Sequence, residues 1–322
     1  MLTDNHGRRF YYLRLSVTDR CNFRCSYCLP DGYRQTDFAP TLSAEDMHTV
    51  VRAFASLGTR KVRLTGGEPS LHKDLPQIIA ASAATPGIRK VAVTTNGYKL
   101  PRVIDDWHSA GLDQLNISID TLDSAEFSAM TGHDCLPTIM AGMERALALG
   151  INTKVNAVLV GDGARARLPA FLNWLKQMPV TLRFIELMRT GDNRDFFASN
   201  HLRGDDIERH LLESGWQQLP RGLDDGPARE YTHPDYLGRI GLITPYSKDF
   251  CDSCNRLRVS AQGRLHLCLF AEQGLELIDV IRTGDSALLA EHIRQQMGGK
   301  AATHYLHDHR VGATRNLAML GG

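Results

Sequence analysis

Polar and apolar residues alternate along several short β-branched runs, and this alternation is the most informative pattern in the chain. The runs are 14–18 (RLSVT), 61–65 (KVRLT), 90–96 (KVAVTTN), 114–120 (QLNISID), 154–160 (KVNAVLV) and 181–188 (TLRFIELM). Their period of two predicts strands. Helix-period stretches lie between them. The clearest starts at Ser43, with Met47, Val50, Val51, Phe54 and Leu57 on one face and Ser43 with Asp46 as a capping pair. Others are predicted at 74–84, 102–110, 138–149 and 168–177. Six β-then-α units imply parallel strands joined by right-handed crossovers, hence an α/β sheet or barrel.

The parity within the strands says more. Leu15/Val17, Val62/Leu64, Val91/Val93 and Leu115/Ile117/Ile119 share one parity. Arg14/Ser16/Thr18, Lys61/Arg63/Thr65, Thr94/Asn96, Asn116/Ser118/Asp120 and Lys154/Asn156 share the other. A parallel strand covered on both faces should be apolar throughout, and a closed barrel fills its interior with bulky side chains. A polar interior therefore predicts a wet cavity wide enough for a charged ligand. The alternative, a face left in solvent, fits poorly with crossover helices.

Position along each strand adds a second axis. A cysteine loop, Gly66-Gly67-Glu68-Pro69, Asn96-Gly97 and Ser118-Ile119-Asp120 all fall at carboxyl ends, where α/β barrels place chemistry. Arg14, Arg63 and Lys154 come near strand beginnings, toward the opposite mouth, and suit phosphates. After about Thr190 the rhythm weakens. Residues 190–235 read as loops around one helix at 204–214, and Ile240–Tyr246 leads into a second cysteine group.

Composition narrows the function classes. With Lys+Arg 37 against Asp+Glu 36, the formal charge of +1 over 322 residues argues against a nucleic-acid groove or a membrane-surface patch. Met1 to Arg9 lacks an apolar run and no segment reaches the length of a membrane span, so a cytoplasmic protein is expected. The odd count of seven cysteines favours metal ligation over disulfides. Cys21, Cys25 and Cys28 are spaced C-x3-C-x2-C. Thiolates suit iron–sulfur clusters or zinc, but structural zinc closes with four protein ligands. Three thiolates on a 4Fe–4S cube leave one iron free for a small molecule; a zinc knuckle completed from elsewhere is the alternative. Cys251, Cys254 and Cys268 form a second trio, open either to a Cys3His zinc site using His266 or His304 or to a second 4Fe–4S cluster. Cys135 stands alone and is read as a non-ligand, and Gly321-Gly322 as a tail.

The first trio, with Tyr27 before its last cysteine, resembles the radical S-adenosylmethionine (SAM) signature. Adding Arg63 with TGGEP, TTNG, NISID, KVNAV, RFIELM-x-TGDN, FC-x2-CNRLRVS and the Gly-Gly end, nearly the whole chain resembles the GTP 3′,8-cyclase family, which opens molybdenum-cofactor biosynthesis. The resemblance implies an incomplete (β/α)6 barrel over residues 1–225 and a C-terminal cluster-binding region over 226–322 that closes the open end. It implies two 4Fe–4S clusters: Cys21, Cys25 and Cys28 hold the one that binds SAM, and Cys251, Cys254 and Cys268 the one that meets the guanine of GTP. SAM contacts fall to Tyr27, Gly67, Ser118 and Met188. GTP contacts fall to Arg14, Arg63, Thr94, Lys154, Arg256 and Arg258, with Gly321 and Gly322 reaching into the site. Met188 lies on the same strand as Glu186 and shares its parity, which leaves the register of that strand open. The implied reaction takes hydrogen from C3′ of GTP with a 5′-deoxyadenosyl radical and joins C3′ to C8, giving 3′,8-cyclo-7,8-dihydro-GTP. The implied partners are an external one-electron donor, a downstream cyclic pyranopterin monophosphate synthase and a second copy in a homodimer. Competing readings are a peptide-modifying two-cluster radical SAM maturase and a zinc-stabilised nucleotide-binding protein without redox chemistry.

Overall fold

The computed structural model describes residues 1–34, 40–223 and 225–321. The strands, in chain order, are β1 (Tyr12–Thr18), β2 (Lys61–Gly66), β3 (Lys90–Thr95), β4 (Gln114–Ser118), β5 (Asn152–Leu159), β6 (Thr181–Glu186), β7 (Gln217–Gln218), β8 (Arg229–Thr232), β9 (Arg239–Ile243), β10 (Arg256–Val259), β11 (Arg264–His266) and β12 (Leu275–Glu276). They form one open sheet in the order β12-β11-β10-β1-β2-β3-β4-β5-β6-β9-β8-β7. Strands β1 to β6 pair in parallel in sequence order, the arrangement expected of six β/α units. The fold is α/β, an incomplete six-unit barrel whose sheet does not close.

The outer helices are α1 (Ala44–Ser56), α2 (Leu75–Ala84), α3 (Leu100–Ser109), α4 (Ser124–Thr131), α5 (Leu136–Ala148) and α6 (Gly163–Leu175). The capping pair on α1 forms as read: Ser43 Oγ accepts from Asp46 N at 3.1 Å, and an Asp46 carboxylate oxygen accepts from Ser43 N at 2.8 Å. Met47, Val50, Val51 and Phe54 of α1 are buried against the sheet. Each such side chain contributes roughly 1.5–3 kcal/mol by leaving water. The apolar parity of β1 to β4 packs there too, with Leu13, Leu15, Val62, Leu64, Val93, Leu115 and Ile117 fully buried. Helix α4 escapes the periodic pattern because it is eight residues long with only Phe127 and Thr131 buried.

The C-terminal third flanks this unit on both sides. Strand β10 pairs in parallel with the outer edge of β1, placing Arg256 beside Tyr12 and Arg258 beside Arg14. Strand β9 pairs in parallel with the outer edge of β6. Between β6 and β9 lie α7 (Arg194–Asn200) and α8 (Asp205–Glu213), the second where a helix is predicted at 204–214. Two more helices, α9 (Ile278–Arg282) and α10 (Ser286–Gln296), follow β12, and α10 packs on α1.

Candidate active site

The polar parity of β1 to β6 faces inward and builds two adjoining cavities. One lies at the carboxyl ends and is lined by Cys21, Cys25, Cys28, Tyr27, Gly67, Thr94, Ser118, Met188 and Gly321. The other is lined by Cys251, Cys254, Cys268, Arg14, Arg63, Arg183, Arg256, Arg258 and again Met188. Asn156 and Ile185 also belong to both walls. The strand β6 register is thereby settled. Arg183 and Ile185 point inward and Phe184 outward into the core, while Met188 lies past the strand's last residue, Glu186, and is released from its parity.

Tight loops shape the first cavity. A Cβ on Gly67 would lie 2.1 Å from the Arg20 carbonyl oxygen, so the backbone runs there without room for any side chain. The next residue, Glu68, is fully buried and accepts hydrogen bonds from Ser70 N, Thr95 Oγ1 and Asn96 N at 2.9, 2.7 and 2.7 Å. It ties the loop after β2 to the end of β3. Tyr27 donates to Asp120 at 2.9 Å, and the same carboxylate accepts from Val158 N at 2.7 Å. Burial raises the first trio's thiols. Cys21 is pushed up to about 11 and Cys28 to about 12, and Cys25 stands well above the ordinary thiol value.

The second cavity has the opposite field. Burial acts upward on Cys254, but Arg256, Lys300 and Arg258 outweigh it and bring the thiol down to about 6. Desolvation lowers Arg14, Arg63 and Arg183 each to about 10, and repulsion from neighbouring guanidinium groups adds a smaller part. Asn116 gathers two of them: its side-chain oxygen accepts from Arg183, from Arg63 at 3.3 Å and from Gln114 at 2.9 Å. Arg183, Lys61 and Asn116 were not singled out from the sequence as site residues. All three stand on the inward polar parity, and that signal could have found them. Lys154 is half-buried and held by Glu230 of β8. Thr94 faces the first cavity rather than the arginines, with its hydroxyl buried and unpartnered among the described residues.

The tail enters this space. Its backbone is anchored by Gly191 N to Thr314 O at 3.0 Å, Asp192 N to Arg315 O at 2.9 Å and Ala313 N to Ala271 O at 2.9 Å. Leu317 and Ala318 offer backbone N–H groups to the Cys28 sulfur. Gly321 reaches the wall of the first cavity, and Gly322 lies outside the described residues.

Known proteins share this arrangement along the whole chain. The radical SAM superfamily model matches residues 15–175, and the molybdenum cofactor synthesis C model matches residues 180–306. GTP 3′,8-cyclase from Vibrio parahaemolyticus is 52% identical across 99% of this chain and 97% of its own. That from Stenotrophomonas maltophilia is 54% identical across 100% and 99%. This chain belongs to the GTP 3′,8-cyclase family of radical SAM enzymes. In fold it is similar to SuiB of Streptococcus suis bound to S-adenosylmethionine, with a TM-score of 0.61 over 89% of this chain and 68% of that one at 14% identity.

The donor chemistry fits the family's two 4Fe–4S clusters. Each trio lines a cavity of its own, and among the described residues no three His, Cys, Asp or Glu side chains close on a single-ion site. Zinc completed by a histidine does not fit. His304 is engaged at both ring nitrogens, by Pro245 O at 2.8 Å and Leu306 N at 3.1 Å. His266 is buried beside Gly274 and is not part of the cavity wall.

Proposed function

We propose that this protein converts GTP to 3′,8-cyclo-7,8-dihydro-GTP at the junction of the two cavities. The observation that supports it is the pairing itself: a cysteine trio at one end, a second trio among arginines at the other, and Asn156, Ile185 and Met188 common to both walls. Cys21, Cys25 and Cys28 would hold the cluster that binds SAM, and Cys251, Cys254 and Cys268 the cluster near the guanine. When bound, the first cluster and SAM would supply the hydrogen-abstracting radical chemistry at C3′ of GTP, and closing C3′ onto C8 to give the dihydro product would take one further electron, from the external donor, and one proton.

The chain's own residues position the reactants. Tyr27, Gly67, Ser118 and Met188 shape the SAM side. Arg14, Arg63 and Arg183 carry the phosphate end with Lys154 beside them, Thr94 meets the nucleotide from the first cavity, and Arg256 and Arg258 face the base end. Clamping both ends of the nucleotide would let C3′ meet the radical source in one orientation, and the tail, as part of the first cavity's wall, would help keep water and other hydrogen donors away. Residues 1–225 would supply the SAM side, and 226–322 the second cluster and part of the substrate side. An external one-electron donor, a downstream cyclic pyranopterin monophosphate synthase, a homodimer and a cytoplasmic location complete the reading. Among the described residues no helix is long and apolar enough to cross a membrane.

Anaerobic incubation with SAM, dithionite and GTP tests the proposal. Mass analysis should find 5′-deoxyadenosine and an isomer of dihydro-GTP in matched amounts. SAM cleavage without a GTP-derived product would overturn it.

A further inference from the structure

The polar residues before β1 reach the second cysteine trio. Residues 2–10 fold back on themselves through an antiparallel bridge between Thr3 and Arg9, and Leu2 and Phe10 anchor this arm in the main core. Between the anchors stands Arg8, 9% exposed. Each nitrogen of its guanidinium is engaged. Nε donates to the Asp4 carboxylate at 2.6 Å, Nη1 to the carbonyl oxygens of Cys251 and Ala302 at 3.2 and 2.7 Å, and Nη2 to that of Ala301 at 2.6 Å. The Cys251 carbonyl also accepts from Cys254 N at 3.1 Å. Arg8 thus grips the oxygen that closes the turn between two of the thiols.

The third thiol comes from another part of the chain, and the segment that Arg8 holds reaches it. Lys300, 4% exposed, donates through Nζ to the carbonyl oxygen of Leu267, the residue before Cys268. The same Nζ lies 5.3 Å from the centre of the Phe10 ring, back on the N-terminal arm. Thr303 Oγ1 donates to the Cys251 sulfur at 3.7 Å. Residues 300–303 therefore form a crossbeam from Cys251 to Cys268, and the arm carries it. We infer that Arg8, oriented by Asp4, is a positioning residue for the second cluster, fixing the turn from Cys251 to Cys254 at the distance from Cys268 that the cluster needs. The inference rests on the two-cluster assignment and is independent of which nucleotide binds. Partners that orient metal ligands from outside change metal affinity by about 10- to 100-fold when removed. A site with three protein ligands has no fourth to make up for one that strays.

Iron and sulfide analysis of the anaerobically reconstituted full chain, with electron paramagnetic resonance of the reduced protein, tests this. The unsubstituted protein should hold about eight irons and Arg8→Ala about four. The cluster that remains should still change its resonance when SAM is added, because the first trio is untouched. Arg8→Lys keeps the charge but lacks the planar fork, so it should lose the second cluster to a similar degree. Circular dichroism of both metal-free variants should match that of the unsubstituted chain. About eight irons in either variant overturns the inference. Equal loss of both clusters from a variant with unchanged circular dichroism overturns it too. If Arg8→Ala fails to fold, Arg8→Lys alone decides. About four irons in the unsubstituted protein is a different result, and it takes the two-cluster assignment down as well.

Discussion

Arg14 Nη1 donates to the carbonyl oxygen of Gly321 at 3.1 Å, joining the first strand to the end of the chain across 307 positions. Gly321 has φ +60, and a Cβ there would lie 2.1 Å from Thr65 Oγ1. Gly321→Ala should therefore unseat the tail, costing about 1–2 kcal/mol locally and lowering product formation roughly tenfold or more. The melting temperature should stay within a few degrees, because the apolar residues of the tail belong to a small cluster around Met188, Leu269 and Phe270 and not to the main core. Unchanged turnover would show that the tail's seat is irrelevant to catalysis.

Arg63 and Arg183 meet at the Asn116 oxygen and open onto the second cavity. Arg63→Ala should weaken GTP binding by roughly tenfold or more, the loss of a charge-assisted contact. Slow dithionite-driven cleavage of SAM without GTP should persist, since the SAM side is untouched. Equilibrium binding and 5′-deoxyadenosine release read the two effects separately. Tight GTP binding by this variant would remove it from the phosphate site.

The two cysteine trios should behave differently before metal is loaded. The thiolate is the reactive form, and Cys254 is held down to about 6 while Cys21 is pushed up to about 11. In metal-free protein the fraction of Cys254 ionised rises as pH climbs through about 6. A brief anaerobic pulse of iodoacetamide at neutral pH should label Cys254 well before Cys21 or Cys28, as read by peptide mass mapping. Equal labelling would mean that the surrounding arginines do not set its charge.

Glu68 accepts three hydrogen bonds while fully buried. Glu68→Ala strands those donors and should cost about 3 kcal/mol or more, with SAM binding lost as the loop after β2 loosens. Denaturant unfolding and SAM titration measure the two. Burial raises the Glu68 carboxyl above its ordinary value. The folded state thus holds the proton more tightly than the unfolded one. That contribution is fully present below the ordinary carboxyl value and is lost as pH rises through the raised one. Glu68→Gln should flatten this part of the stability profile in acid.

Much of this was legible in the sequence, for reasons that particular residues make plain. Arg14 and Arg63 could be placed inside because a strand has a period of two and the apolar residues between them had to face the helices. Both cysteine trios could be separated by spacing alone. What the sequence pattern did not carry was pairing at a distance. Nothing in RLRV announces that Arg256 lies beside Tyr12, since register between segments far apart is set by packing and not by local period. Arg183 alternates with the core residues Leu182 and Phe184 on β6, so its inward side follows from strand parity alone. The path of the tail rests on backbone hydrogen bonds to residues 191, 192 and 271, which leave no mark in side-chain pattern.

The placement of β9 and β10 on opposite flanks of β1 to β6 bears on synthesis. While the ribosome is still making the first two hundred or so residues, β1 and β6 each present unpaired backbone along an outer edge. Such edges template pairing with other chains, and domains emerge N-terminal first. The nascent barrel thus carries two adhesive borders until the last third arrives to cover both.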